Sequence, residues 1–234
     1  MKALAVDGAV SKLTISAKND DKTCTLILDI GMKQSENIVP AIDFVLDKTG
    51  LSATELEYLT LSAGPGSFTG LRLAISALKA IELASGARLY GISSLKIYSY
   101  EFRDFGLPVL SGIDANKGCY YANLTDYSDS KELLCDGDWE IKKIIEKVCR
   151  LKKIIVCGPD AKKLSDIIKD SIPDIQVLCP KAFIIPTDAL FAITEEKIAA
   201  GEEPLKDFDG PVYLRASEAE QKAALDAEKK TSQN

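Results

Sequence analysis

The chain has 234 residues, enough for one large domain or two small lobes with a proper core. Its hydrophobic content of 46% and charged content of 27% are those of a soluble globular protein, and a net charge of −6 supplies no overall attraction to nucleic acid. Histidine is absent, which excludes Ser-His and Cys-His catalytic arrangements, H-E-x-x-H zinc sites and histidine general-base chemistry.

The first run, Lys2–Val6, meets Asp7 too early to be a signal peptide and reads as a strand. Leu13–Ala17 and Thr23–Ile30 continue it as a three-stranded meander, with turns at Asp7-Gly8 and Asn19-Asp20-Asp21. Ser35 then caps a helix whose apolar positions are Ile38, Ile42, Val45 and Leu46, and Gly50 ends it. Ser52 and Glu55 form a capping box around a second, short helix. Tyr58–Ser62 is a buried strand. It runs into the turn Gly64-Pro65-Gly66, where Ser67 or Thr69 caps a long helix from about Leu71 to Ala84 that Ser85-Gly86 terminates. Arg88–Ile92 is a strand, and Ser93-Ser94 caps the helix that starts near Leu95.

The order of elements then begins again. Leu107–Ile113 is an apolar strand ending in Asp114, with a turn at Ala115-Asn116-Lys117-Gly118 and a returning strand Cys119–Leu124. Lys153–Cys157 is a strand followed by Gly158-Pro159-Asp160 and a helix from Ala161 to about Lys169. Leu4-Ala5-Val6-Asp7-Gly8 and Ser111-Gly112-Ile113-Asp114-Ala115 are two versions of one strand–acid–turn pattern, as expected of duplicated α/β lobes. The expected division is a first lobe over residues 1–100, a second over 101–216 and a flexible tail over 217–234. Between these landmarks, Lys142, Lys147, Arg150, Lys152 and Lys153 read as a solvated helical face. The six cysteines form no C-x-x-C pair. Cys24, Cys149 and Cys157 lie in apolar runs as small buried hydrophobes, so the protein is expected to be reduced and cytoplasmic. No stretch approaches the length of a membrane span.

The chemistry concentrates at Gly64–Arg72. A strand, a glycine-rich turn and a helix make an anion site at the helix N-terminus, but the Lys-Ser/Thr ending of a P-loop is missing, and tight packing is the better role for the turn. In the helix behind it, Gly70, Ala74, Ala77, Ile81 and Ala84 share one face while Leu71, Ile75 and Leu78 share another. A helix apolar on two faces needs cover on both, so the small-residue face is expected to meet a partner helix. Arg72 in its first turn opposes the macrodipole and calls for an anion, from Glu36, Asp43 or a partner.

Gly64-Pro-Gly-Ser-Phe-Thr-Gly-Leu-Arg72, Leu4-Ala-Val-Asp7, Gly112-Ile-Asp-Ala115 and Pro211-Val-Tyr-Leu-Arg215 together resemble the TsaB (YeaZ) family, in the right order over nearly the whole chain. The resemblance implies a two-lobed actin-like ATPase (ASKHA) fold with duplicated mixed-sheet lobes and a degenerate nucleotide cleft at Asp7, Gly8 and Asp114. It implies no catalysis by this chain, no cofactor and no metal. It implies instead a dimerisation subunit that binds the catalytic subunit TsaD, with the ATPase TsaE joining and tRNA reached only through the complex. A homodimer is expected in isolation, and no membrane is involved. The contact would use the helices Ser35–Thr49 and Gly70–Ser85 through Ile38, Ile42, Val45, Gly70, Arg72, Leu73, Ala74, Ala77, Ile81 and Ala84. Gly64, Pro65, Gly66, Ser67 and Thr69 would form the structural turn. Two positions depart from the family: Gly8-Ala9 replaces a hydroxyl residue after the aspartate, and Gln34 stands where relatives often carry histidine. The competing expectation is an active small-molecule kinase or ATPase, with Asp7 and Asp114 holding magnesium.

Overall fold

The computed structural model describes residues 1–181 and 184–215. The anticipated tail, 217–234, lies outside the described residues.

Alternating apolar residues build the first sheet from β1 (Lys2–Asp7), β2 (Leu13–Asn19), β3 (Lys22–Leu28), β4 (Tyr58–Gly64) and β5 (Arg88–Ser93). Their spatial order is β3-β2-β1-β4-β5: β1 to β3 form an antiparallel meander, and β1, β4 and β5 run parallel. The second sheet holds β6 (Pro108–Asp114), β7 (Cys119–Asp126), β8 (Lys131–Glu140), β9 (Lys153–Cys157) and β10 (Gln176–Leu178). Its order, β8-β7-β6-β9-β10, repeats the first, with the same antiparallel and parallel pairings. The duplication read from the two strand–acid–turn segments is therefore real at the level of topology, and the fold is the two-lobed actin-like one.

Among the described residues six helices cover the sheets: α1 (Gln34–Thr49), α2 (Phe68–Ser85), α3 (Ser94–Tyr100), α4 (Ile141–Val148), α5 (Ala161–Ser171) and α6 (Pro186–Ala199). Helix α1 starts one residue before Ser35, behind a 3-10 turn at Gly31–Lys33, so Ser35 lies inside the helix and is not its cap. The other caps match expectation. Ser67 Oγ accepts the Gly70 N–H, Gly50 and Gly86 close α1 and α2 in the left-handed region, and Ser52 with Glu55 completes a capping box on a 3-10 turn.

One core lies between the first sheet and helices α1 and α2, around Leu4, Leu13, Ile42, Val45, Leu59 and Leu78. The opposite face of that sheet is covered from far along the chain: Ala189, Leu190 and Phe191 of α6 pack with Ala3, Ala5, Tyr58, Tyr90 and Ile97. The chain boundary near residue 100 separates the two sheets, but α6 then returns to the first one. Helix α3 joins the lobes, sending Ile97 into this layer and Leu95 and Tyr98 against Val109, Ile113 and Ile155 of the second sheet. Cys157 is buried and its thiol is pushed up to about 12 by desolvation, whereas Cys149 is exposed and Cys24 half-buried, contrary to the expectation that all three are core residues. No helix among the described residues is long and apolar enough to cross a membrane.

Candidate functional site

The two hairpin turns, Asp7–Lys12 after β1 and Asp114–Gly118 after β6, face each other across a cleft of about 560 Å³ whose lining includes Ala9, Ser67, Asp114, Asn116, Tyr213 and Arg215. This is where an actin-like fold would grip a phosphate, and the grip needs free backbone N–H groups. Several of those at hand are already engaged. Asp7 Oδ1 accepts the Ala9 N–H at 3.0 Å, and the Ala9 carbonyl accepts the Ser67 N–H at 2.7 Å. Across the cleft, Asp114 Oδ1 accepts the Asn116 N–H, Asp160 Oδ2 accepts the Asp114 N–H, and the Cys119 carbonyl accepts the Ala115 N–H.

The glycines explain why the first turn sits so low. Gly8 and Gly70 lie backbone against backbone: a Cβ at Gly70 would overlap the Gly8 carbonyl oxygen, and one at Gly8 would come within 2.8 Å of the Gly70 carbonyl oxygen. A Cβ at Gly66 would collide with the Ala9 carbonyl. Gln34, buried, completes the clamp by donating from Nε2 to the Val10 and Ser11 carbonyls at 3.2 and 3.1 Å. The glycine motif therefore docks α2 against the hairpin turn, the packing role read from the sequence.

Asp7 and Asp114 have opposite fates. Asp7 is only 1% exposed, and its Oδ2 has no hydrogen-bond partner among the described residues. Burial raises its pKa above the ordinary carboxylate value, with the Ala9 N–H pulling the other way. The nearby Tyr98 hydroxyl is likewise buried without a partner, and burial raises it too. Asp114 is half-buried, and exposed Lys163 at 2.5 Å holds its carboxyl below the usual range. One carboxylate is sealed in and the other is neutralised by a lysine. That donor set does not fit a magnesium–nucleotide clamp.

A strap formed by residues 202–215 closes one side of the cleft. The Leu205 N–H donates to the Leu89 carbonyl and the Val212 N–H to the Ala63 carbonyl, both at 2.7 Å. Tyr213 stacks on Phe68 with ring centroids 4.9 Å apart. Arg215 then crosses to the second lobe, where its Nε and Nη2 grip Asp138 at 2.6 and 2.8 Å while Nη1 donates to the Ala115 carbonyl. The sequence had marked Pro211–Arg215 by resemblance without showing this lobe-bridging task.

Beside the cleft, α1 and α2 present the other candidate surface. The expected small-residue face is displaced by the actual packing. Ile38, Ile42, Val45, Gly70 and Ala74 are buried within the first lobe, because α1 and α2 turn those positions towards the sheet and each other. Leu73, Ala77 and Ile81 are half-buried at the edge of that core. Ala80 and Ala84 are exposed, Leu83 is 90% exposed, and on α1 Val39 and Phe44 are exposed. Leu73, Ala77, Ala80 and Ala84 thus form a narrow stripe at i, i+4, i+7 and i+11 along one side of α2. Arg72 is exposed and needs none of the acids expected for it: its Nε donates to the Tyr213 hydroxyl at 2.9 Å, and its guanidinium lies 3.8 Å from the Phe68 ring centroid.

Known proteins can now be set beside this geometry. The family model described as "TsaD: tRNA N6-adenosine threonylcarbamoyltransferase" matches residues 31–201. The tRNA threonylcarbamoyladenosine biosynthesis protein TsaB of Escherichia coli (strain K12) is 25% identical over 227 residues, spanning 92% of this chain and 95% of that protein. Its namesake from Bacillus subtilis (strain 168) is 26% identical over 238 residues, spanning 95% and 97%. The chain belongs to the TsaB branch of this family. Among solved structures, YeaZ from Pseudomonas aeruginosa superposes with a TM-score of 0.70 at 18% identity, covering 91% of this chain and 99% of that one. A second Pseudomonas aeruginosa structure, titled as a protein similar to peptidase YEAZ, reaches 0.76 at 17% identity, covering 92% and 99%. These two likenesses concern the fold. The residues singled out in sequence divide by burial: Gly64, Pro65, Gly66, Ser67 and Gly70 build the turn and its docking, while of the expected α2 face Ala74 is buried, Ala77 and Ile81 are half-buried and Ala84 is exposed.

Proposed function

We propose that the chain is a non-catalytic subunit that binds TsaD and supports transfer of a threonylcarbamoyl group to the adenosine beside the anticodon of tRNA. The observation that carries this reading is the α2 stripe Leu73-Ala77-Ala80-Ala84, half-buried at Leu73 and Ala77 and exposed at Ala80 and Ala84, with exposed Leu83 beside it and Val39 and Phe44 on the neighbouring helix. Small residues let a second helix approach closely, and apolar exposure of this length favours a partner over water. The relatives' names place them in tRNA threonylcarbamoyladenosine biosynthesis, which supplies the pathway. The engaged turn N–H groups and the sealed Asp7 support a partner role over a kinase or ATPase role. TsaE joins the assembly in this reading, and the same stripe pairs two copies when TsaD is absent.

Ala80→Glu is the decisive variant, because the side chain is exposed and the monomer has room for it. It is expected to abolish co-purification with TsaD and tRNA modification in a reconstituted system while leaving the urea midpoint unchanged. Ala74→Glu, by contrast, should unfold the lobe, since Ala74 has no exposed surface. Full modification by TsaD and TsaE without this chain would overturn the functional reading, and intact pull-down of Ala80→Glu would overturn the choice of surface. Calorimetry with ATP should show no tight site on the isolated chain.

A further inference from the structure

The most cationic stretch of this acidic protein lies on the second lobe, far along the chain from the α1–α2 stripe. Between Glu140 and Lys153 stand six cations and two carboxylates. Lys142, Lys143, Lys147, Arg150 and Lys152 are all exposed, and among the described residues none of them is in an ion pair. Lys2, Lys18, Lys79, Lys162 and Lys163 each hold a carboxylate, and the other unpaired cations among the described residues, such as Lys22, Lys33, Arg88 and Lys96, are scattered rather than clustered. Glu146 is the only acid within α4, and although it stands at i+4 from Lys142 and i+3 from Lys143 it pairs with neither among the described residues.

Geometry adds a second, independent feature. The underside of α4 packs Ile144 and Val148 into the second core, so the helix is fixed in place. Between it and β8 runs a groove of about 340 Å³ lined by Leu133, Trp139, Lys143, Glu146 and Lys147 among others. Trp139 is half-buried, and its indole N–H is tied to the Cys135 carbonyl at 3.0 Å, which pins the ring. Lys143 Nζ stands 5.8 Å from that ring. Lys143 and Lys147 stand one turn apart on one side of α4, and exposed Arg150 lies in the turn that follows the helix.

We infer that the β8–α4 groove docks RNA, with phosphates on Lys143, Lys147 and Arg150 and an unpaired base beside Trp139. The inference rests on the reading that the assembly acts on tRNA. A pinned aromatic ring rimmed by unpaired cations is what single-stranded RNA recognises, through stacking and phosphate contact together. A groove of about 340 Å³ has room for a nucleoside. An acidic peptide would use the cations but leave the ring without a role.

The test uses the full chain assembled with TsaD. Lys143→Glu, Lys147→Glu and Arg150→Glu are combined, all at exposed positions, and the urea midpoint verifies the fold. Affinity for tRNA is expected to fall at least tenfold at ~0.1 M salt, and the slope of log affinity against log salt to become shallower by about two to three. Trp139 is the chain's single tryptophan, so 5-fluorotryptophan in this subunit alone gives one fluorine resonance, which should shift when tRNA is added. Unchanged affinity and slope, or a fluorine signal indifferent to saturating tRNA, would overturn the proposal. Loss of TsaD from the charge-reversed subunit would assign the groove to a protein and overturn it equally. If the wild-type chain forms no complex at all, the functional reading itself has failed, which these readouts distinguish.

Discussion

Asp7 ends the central strand with its carboxylate 1% exposed and one oxygen without a partner. Burial raises its pKa above 3.8, so the folded state holds this proton more tightly than the unfolded chain does. The sign follows directly. Stability from this group is greatest when Asp7 is protonated and is lost as pH rises from about 4 through the raised folded value. Asp7→Asn keeps an acceptor for the Ala9 N–H and removes the buried charge. It should therefore stabilise the protein at pH 7.5 by about 1 kcal/mol, a gain that shrinks towards pH 4.5, as urea denaturation at the two pH values would read. At this scale the sequence was informative about type and blind to state. An acid at a strand end is visible in Leu4-Ala-Val-Asp7, but the seal over it comes from Gly8 meeting Gly70 and from Gln34 reaching Val10 and Ser11, contacts between residues 23 and more positions apart. Arg72 shows the same limit: a local dipole argument called for an acid, and the fold supplied Phe68 and Tyr213 instead.

Among the elements, the strap of residues 202–215 does the most with the least regular structure. Its hydrogen bonds to Leu89 and Ala63 hold it to the first lobe, and the bidentate Arg215–Asp138 pair fastens it to the second. Both side chains of that pair are mostly shielded, and a charged, bidentate contact of this kind is worth about 1–2 kcal/mol. Arg215→Ala should lower stability by that amount and speed hydrogen exchange at the Val212 amide at least tenfold, with the Leu205 amide less affected; equal protection of Val212 in both proteins would show that the strap does not depend on this anchor. Elements with a strong period or a clear cap were legible: the meander, the capping box at Ser52, the Ser67 cap and the Gly50 and Gly86 stops. Those missed have physical reasons. Strand β8 alternates poorly, carrying Asp136, Gly137 and Asp138 with register shifts against β7. Helix α6 begins with the readable signal Pro186-Thr187-Asp188, but its apolar residues circle the helix because the first sheet covers one side and α3 another, so no single-face period exists to be seen. On α2 the apolar periodicity was legible, but one-dimensional spacing cannot say which apolar side the sheet takes, and the sheet takes Gly70 and Ala74 from the expected face while leaving Ala84 exposed.

For the whole molecule the question is whether two lobes of identical topology behave as two folding units. Contact order argues for one. Helix α6 lies beyond the second lobe in sequence, yet Thr187 bonds Ser16 at 2.6 Å, Thr194 bonds Thr60 at 2.7 Å, and Tyr58 and Lys18 both donate to Glu195. The first sheet therefore cannot bury its second face until the chain has passed through the second lobe and come back, while α3 places side chains in both cores at once. A defect in the α6 layer should then destabilise the distant lobe by the same amount. Leu190 is fully buried there, and Leu190→Ala should cost about 2–5 kcal/mol. Trp139 lies in the second lobe and serves as its own reporter, because excitation selective for tryptophan ignores the tyrosines of the first. The expected result is that tryptophan fluorescence and far-ultraviolet circular dichroism shift together to a lower urea midpoint in Leu190→Ala, as a single transition. Were the tryptophan midpoint to stay fixed while the dichroism curve split in two, the lobes would be independent units and α6 merely a cover for the first. A single shared transition would mean instead that the duplicated halves fold as one body, so that the α1–α2 stripe is presented only when the second lobe is also complete.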